Sequence, residues 1–275
     1  MNPFSLPFMQ IALAASLLAG LSLAWIGLFI LVKRISFSGL AVSQLAALGT
    51  VVGTVLGLHY GDIWIALAFV GMGIYLLSRI SKNSGVPQEL FVASLYILGA
   101  GLAVLILSKA PQGEADTLSV FFGNLLALGV AEIWEAFFIF ILTVLILWGW
   151  FYRWIWIAFD PTSVEVAKFK VDLWNFLFYA LFALSMTVSI HIFGVLLAFS
   201  YLLLPAGIGL LCIRKFKYLF IFIPLLTALT TLLGFYFSFR LDLPTGPFLA
   251  SLFAATLLVC GIYRTPKSSV KRPMR

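Results

Sequence analysis

Few residues in this chain could do chemistry, and the most suggestive lie on one helical stripe. Leu40, Gln44 and Leu48 recur at spacing four, with Ser43 beside them, inside an apolar run. A glutamine there either lines a polar path or bonds to a neighbouring helix, and its neutral carbonyl is a weak ligand for a transition metal. Pro205 stands inside LLLPAGIG. It removes a backbone hydrogen bond and predicts a helix opened about midway, with Gly207 and Gly209 adding looseness. Such a break either borders a translocation path or is a purely structural kink. Glu132 and Glu135 sit at the mouth of one apolar segment, and His59 and His191 near the ends of others. Each histidine could touch a cation or serve as an ordinary interfacial residue. Cys212 and Cys260 fall in apolar segments without CxxC or Cys/His spacing, so neither a disulfide framework nor a zinc site is indicated. GxxxxGK[ST], HExxH and GxSxG are all missing from the sequence. P-loop ATP binding and the familiar hydrolases are thereby excluded, and no catalytic residue is expected.

The elements that must position these residues are membrane spans. Of the 275 residues 63% are hydrophobic and 10% charged, with a mean hydropathy of +1.13. No water-soluble core could hide so much apolar surface, so the fold class is all-α, a polytopic helix bundle whose solvent is the lipid bilayer. The net charge of +7 does not point to nucleic acid. Its basic residues sit between apolar runs and in the tail, where membrane topology places them. A crossing needs roughly 20 apolar residues for a hydrocarbon core of about 30 Å. Nine segments qualify: 10–32, 35–58, 63–78, 90–108, 133–151, 173–190, 193–213, 218–239 and 246–263. The first lacks a basic preamble and a small-x-small cleavage site, so it is expected to stay as an anchor.

Basic residues resist translocation, which orients the bundle. With the N-terminus outside, Lys33, Arg34, Arg79, Lys82, Arg153, Lys168, Lys170, Arg214, Lys215, Lys217 and the five basic residues of the tail 264–275 face the cytoplasm. Of the 17 Lys and Arg residues, that leaves Lys109 and Arg240 outside. No Asp, Glu, Lys or Arg falls in the middle third of any span, which weighs against an ion-coupled carrier or proton relay.

Three further stretches have a shape. The stretch 152–172 is the one long polar interruption; Asp160 and Pro161 stand as N-cap and first residue of a short cytoplasmic helix. Val164 and Ala167 recur there at helical spacing while Glu165 and Lys168 stay available to solvent, a surface suited to a partner protein, unless the segment is a plain loop. The segment 117–131 is apolar but too short to cross, and is expected to be re-entrant or interfacial. Gly49, Gly53 and Gly57 form a small-xxx-small stripe predicting a tight helix crossing on the second span.

Several stretches together resemble the permease subunits of the ABC importers for zinc, manganese and iron: KRISFSGLAVSQLAALG (33–49), FFGNLLAL (121–128), FDPTSVEVAKF (159–169), GVLLAFSYLLLPAGIG (194–209) and LDLPTGP (241–247). The resemblance implies one permease domain over 1–263 with a coupling segment at 152–172. It also implies a second permease copy, cytoplasmic ATPase subunits that use the ATP, an extracytoplasmic solute-binding protein, and no cofactor on this chain. A divalent metal is the implied cargo, imported through the plasma membrane of a prokaryote. One departure concerns the cargo. The family's second span carries an aspartate and, four residues on, a histidine, where this chain has Leu40 and Gln44, so the usual metal site does not carry over. A non-metal small solute, or a membrane enzyme or scaffold sharing the fold, are the alternative readings; an ATPase and a binding protein encoded alongside would favour the importer.

Overall fold

The computed structural model describes residues 7–33, 35–57, 62–81, 88–109, 123, 128–159 and 171–264. The described residues form α1 (Pro7–Val32), α2 (Ser36–Val55), α3 (Asp62–Ser81), α4 (Gln88–Leu107), α5 (Val130–Gly149), α6 (Phe151–Phe159), α7 (Val171–Cys212), α8 (Phe216–Arg240) and α9 (Thr245–Arg264), and include no strand. Most of these helices are apolar on every side, the pattern of segments solvated by lipid or by one another. Seven are long and apolar enough to cross a membrane, and α3 carries a shorter apolar stretch, Ile63–Leu76.

The 42-residue α7 is not one rod. Gly194, at φ 80° and ψ 169°, is its non-helical residue, a conformation that favours glycine because a Cβ would clash. A Cβ placed on Gly39 would lie 3.1 Å from Leu202 and 3.8 Å from Phe182. In a continuous helix those two residues would be about 30 Å apart, at 1.5 Å per residue. The chain therefore doubles back at Gly194, and the rings of Phe193 and Tyr201 meet across the turn at 5.2 Å. Counting the limbs 171–193 and 195–212 separately, and adding α3, gives the nine apolar segments expected from the sequence. The opening expected at Pro205 is not there: Pro205 is buried and helical, and the break lies at Gly194. Sequence reasoning weighted the proline because it lacks a donor, yet one missing bond is tolerated inside a packed helix, whereas reversing the chain needs φ above zero.

At the centre lies α1, with Ala12, Ala15, Ala19, Leu23 and Ala24 all fully buried. Its small residues admit the second limb of α7: Gly20 faces the ring of Tyr201, and Gly27 lies against the Leu202 carbonyl so closely that no Cβ fits. Inside α8, Pro224 cannot donate to the carbonyl of Phe220 four residues earlier. The indole N–H of Trp25, on α1, donates to that freed oxygen at 3.2 Å. Trp25→Phe is expected to cost about 1–3 kcal/mol for the orphaned carbonyl, beyond the change of ring. In a Pro224→Ala background, where residue 224 regains its own N–H, the same substitution should cost less. Thermal unfolding in detergent over the four proteins of this cycle reads the difference, and equal costs in both backgrounds would show that the indole bond contributes nothing.

The stretch 152–159, read from sequence as the start of a polar interruption, is instead helical. In α6 the buried Trp154 donates its indole N–H to the Ile146 carbonyl at 2.9 Å, satisfying an acceptor in the last turn of α5. Its ring meets Trp174 at 5.2 Å. Four aromatic residues and an arginine in YRWIWIAF look interfacial one by one; α6 folds back onto α5 because Trp154 and Ile157 share a face that the first limb of α7 can cover. The turn between α8 and α9 is built from LDLPTGP. Asp242 takes φ 53°, and the Ser238 hydroxyl lies 2.7 Å from the Leu243 carbonyl oxygen and 3.0 Å from Thr245 Oγ1.

Candidate translocation path

The stripe on α2 is held between two other spans. On one side Gly49 lies directly against Ala66 of α3, with no room for a side chain, and Gly73 of α3 receives Leu45 in the same way. On the other, Gly99 of α4 lies against Gln44: a Cβ there would sit 3.1 Å from its carbonyl carbon and oxygen. Close approach on both faces puts Gln44 and Ser43 in the interior, 5% and 1% exposed. Gly53 is buried on the same helix, but Gly57 takes no part in the crossing. It falls beyond the end of α2 in a turn at φ 73°, with open space where its Cβ would be. A spacing of four continues a stripe only while the helix continues.

Ser43 spends its hydroxyl within α2, donating to the Leu40 carbonyl at 2.7 Å. Gln44 does not bond to a neighbouring helix through its oxygen: Oε1 is buried without a partner. An orphaned amide oxygen costs about 1–3 kcal/mol, so this position favours the arrival of a donor, a water or a cation. Leu40 is half-buried one residue from Gly39, which rests on Leu202 of α7. The structure thus brings the start of α2 to within three residues of Pro205, while Gln44 turns to α4. Sequence reasoning missed Gly99 and Gly73, although the small residues of GAG (99–101) were a visible sign of close packing. Among the described residues no group of three or more His, Cys, Asp or Glu is placed to hold a metal. The α2 stripe offers neutral oxygen only.

At one end of the bundle the basic residues gather. Lys33 donates to Asn175 Oδ1 at 3.0 Å and lies over the Phe178 ring, and burial lowers its pKa to about 8. Arg153 lies over the Trp174 ring, and Phe159 meets Phe216 next to Lys215. Asp160, Pro161, Val164, Glu165, Ala167 and Lys168, expected to form the coupling helix, lie outside the described residues, as do His59 and most of 117–131. Of that last segment Gly123 is described. It takes φ 75° and packs on the backbone of Phe193, beside the reversal at Gly194.

Seven membrane-length apolar helices, a reversed double span, glycine-mediated crossings and polar groups buried without partners define an integral membrane helix bundle. The family follows from comparison: residues 5–264 match the model of the ABC 3 transport family, and the chain belongs to it. It is 24% identical over 270 residues to the manganese transport system membrane protein MntC of Halalkalibacterium halodurans, covering 97% of this chain and 90% of that one. It is 26% identical to the chelated iron transport system membrane protein YfeD of Yersinia pestis, with 99% and 91% covered. Among solved structures the fold matches that of PsaBC from Streptococcus pneumoniae in complex with Fab. That match has a TM-score of 0.84 at 20% identity and covers 93% and 91% of the two chains.

Proposed function

We propose that this chain is the membrane permease of an ATP-driven importer for a divalent metal, working as a pair of copies with cytoplasmic ATPase subunits and an extracytoplasmic binding protein. The observation that carries it is the family match along residues 5–264. The metal comes from the relatives, whose names specify manganese and chelated iron. With no nucleotide loop of its own the chain needs energy from a partner, and the stretch 160–170 is the surface assigned to that contact, with Asp160 and Pro161 opening a helix whose Val164 and Ala167 face the ATPase. The end bearing Lys33, Arg153 and Lys215 is assigned to the cytoplasm, which puts the N-terminus outside and the C-terminus inside.

Leu40, Ser43, Gln44 and Pro205 are assigned to the path, and Gly49 and Gly53 to the packing that holds it. A neutral path of this kind leaves metal choice mostly to the delivering protein. It also favours, as a second reading, a non-metal small solute. Expressed with the ATPase and binding protein encoded beside it, the permease should co-purify with the ATPase and take radioactive manganese into vesicles in an ATP-dependent manner. A permease that purifies alone and leaves uptake unchanged when deleted would end the importer reading. Co-purification with no metal uptake would leave the second reading standing.

A further inference from the structure

Beyond the α2 stripe, two of the buried polar atoms without partners, Glu135 Oε2 and Ser189 Oγ, lie on α5 and the first limb of α7. Thr143 Oγ1 and Ser185 Oγ face each other at 3.5 Å near the middle of the two helices. The helices run antiparallel there, because α5 leads toward the end rich in basic residues while the limb 171–193 leads away from it. Moving eight residues outward from Thr143, about 12 Å at 1.5 Å per residue, arrives at Glu135; moving the same distance from Ser185 arrives at Phe193, within one turn of His191. Glu135 and His191 accordingly stand at neighbouring levels of two adjacent antiparallel helices. Between the two levels, Ser189 lies one turn beyond Ser185 on the same face, and its hydroxyl is fully buried without a partner.

The carboxylates at this end have different fates. Glu132 reaches back to accept the Gly129 N–H at 2.9 Å, closing the start of α5, so its Oε2 is spent on the backbone. Glu135 has an oxygen, Oε2, that is buried and receives no hydrogen bond. A buried carboxylate oxygen without a donor is costly unless it is protonated or meets a cation. Carboxylate and imidazole together form a ligand pair for first-row divalent metals, unlike the neutral oxygens of α2.

We propose that Glu135 and His191 form a receiving site for a divalent first-row cation at the end of the bundle remote from Lys33, with Ser189 and the Thr143–Ser185 pair as the first polar steps inward. The role as a receiving site rests on the permease reading and its orientation; metal binding by the pair does not. The test is therefore binding rather than transport. Manganese chloride is titrated by calorimetry into the purified full-length chain in detergent, using the parent, Glu135→Gln, His191→Asn and Glu132→Gln proteins, each checked for a monodisperse gel-filtration peak. The parent should bind, and the affinity should fall about tenfold or more in Glu135→Gln and in His191→Asn. Glu132→Gln should stay within about threefold of the parent, since its charge acts only at a distance. Should Glu135→Gln fail to fold, Glu135→Asp, which shortens the reach of the carboxylate, and His191→Asn carry the same comparison. No binding by the parent, equal affinity in all four, or a loss in Glu132→Gln as large as in Glu135→Gln overturns the site. The ATPase co-purification test answers the importer reading separately, so either can fail without the other.

Discussion

Gly27→Ala is expected to prevent the bundle from forming. The methyl group would have to occupy the position of the Leu202 carbonyl oxygen, an atom of a helix backbone with no rotamer by which to move aside. Separating α1 from the second limb of α7 would also lift Gly20 off the Tyr201 ring, and Tyr201 is fully buried with its hydroxyl 2.8 Å from Thr231 Oγ1. Overpacking of a well-filled core costs about 1–3 kcal/mol and occasionally more. A clash between two backbones in the centre of the bundle belongs at the upper end, about 3 kcal/mol or above. Gly71→Ala is the matched comparison: it has open space around its Cβ and should behave as the parent. Fluorescence-detected gel filtration after detergent extraction reads both. A Gly27→Ala protein with the parent's peak and melting temperature would show that these helices are farther apart than described.

The second large effect lies in the proposed ATPase contact. Val164→Asp together with Ala167→Asp should abolish transport, lowering uptake to background, while the permease still inserts and extracts as the parent does. If the apolar positions expected from the sequence face the ATPase, two carboxylates there would be buried without partners in the interface, at a cost of several kcal/mol, enough to release the ATPase. Glu165→Gln, at a position the sequence periodicity assigns to solvent, should leave uptake close to the parent's. ATP-dependent uptake in vesicles, followed by co-purification, distinguishes lost contact from lost protein. Normal uptake by the double variant would show that 160–170 is a connecting loop and nothing more.

Much of this protein was readable in its sequence because membrane spans are set by a local property. Runs such as those of α1 and α8 must be helical in lipid, since every backbone polar group has to be satisfied within the segment, and this predicted nine apolar segments with a division at residues 191–192, close to the reversal at Gly194. The family resemblance was also legible, carried by LDLPTGP and the Pro205 stretch, because these motifs are contiguous; the first proves to be the α8–α9 turn. Tertiary structure decided what depends on two segments meeting. It placed the chain reversal at Gly194 rather than an opening at Pro205, since the sequence shows a missing donor but not the direction the chain must take. It gave Pro224 an answer in Trp25, 195 residues away in sequence, and it ended the glycine stripe before Gly57. It also turned Gln44 toward Gly99 and brought Glu135 and His191 to the same end of two adjacent helices, residues that looked unrelated in the chain. Helix periodicity tells which face a side chain occupies; only packing tells which neighbour that face meets.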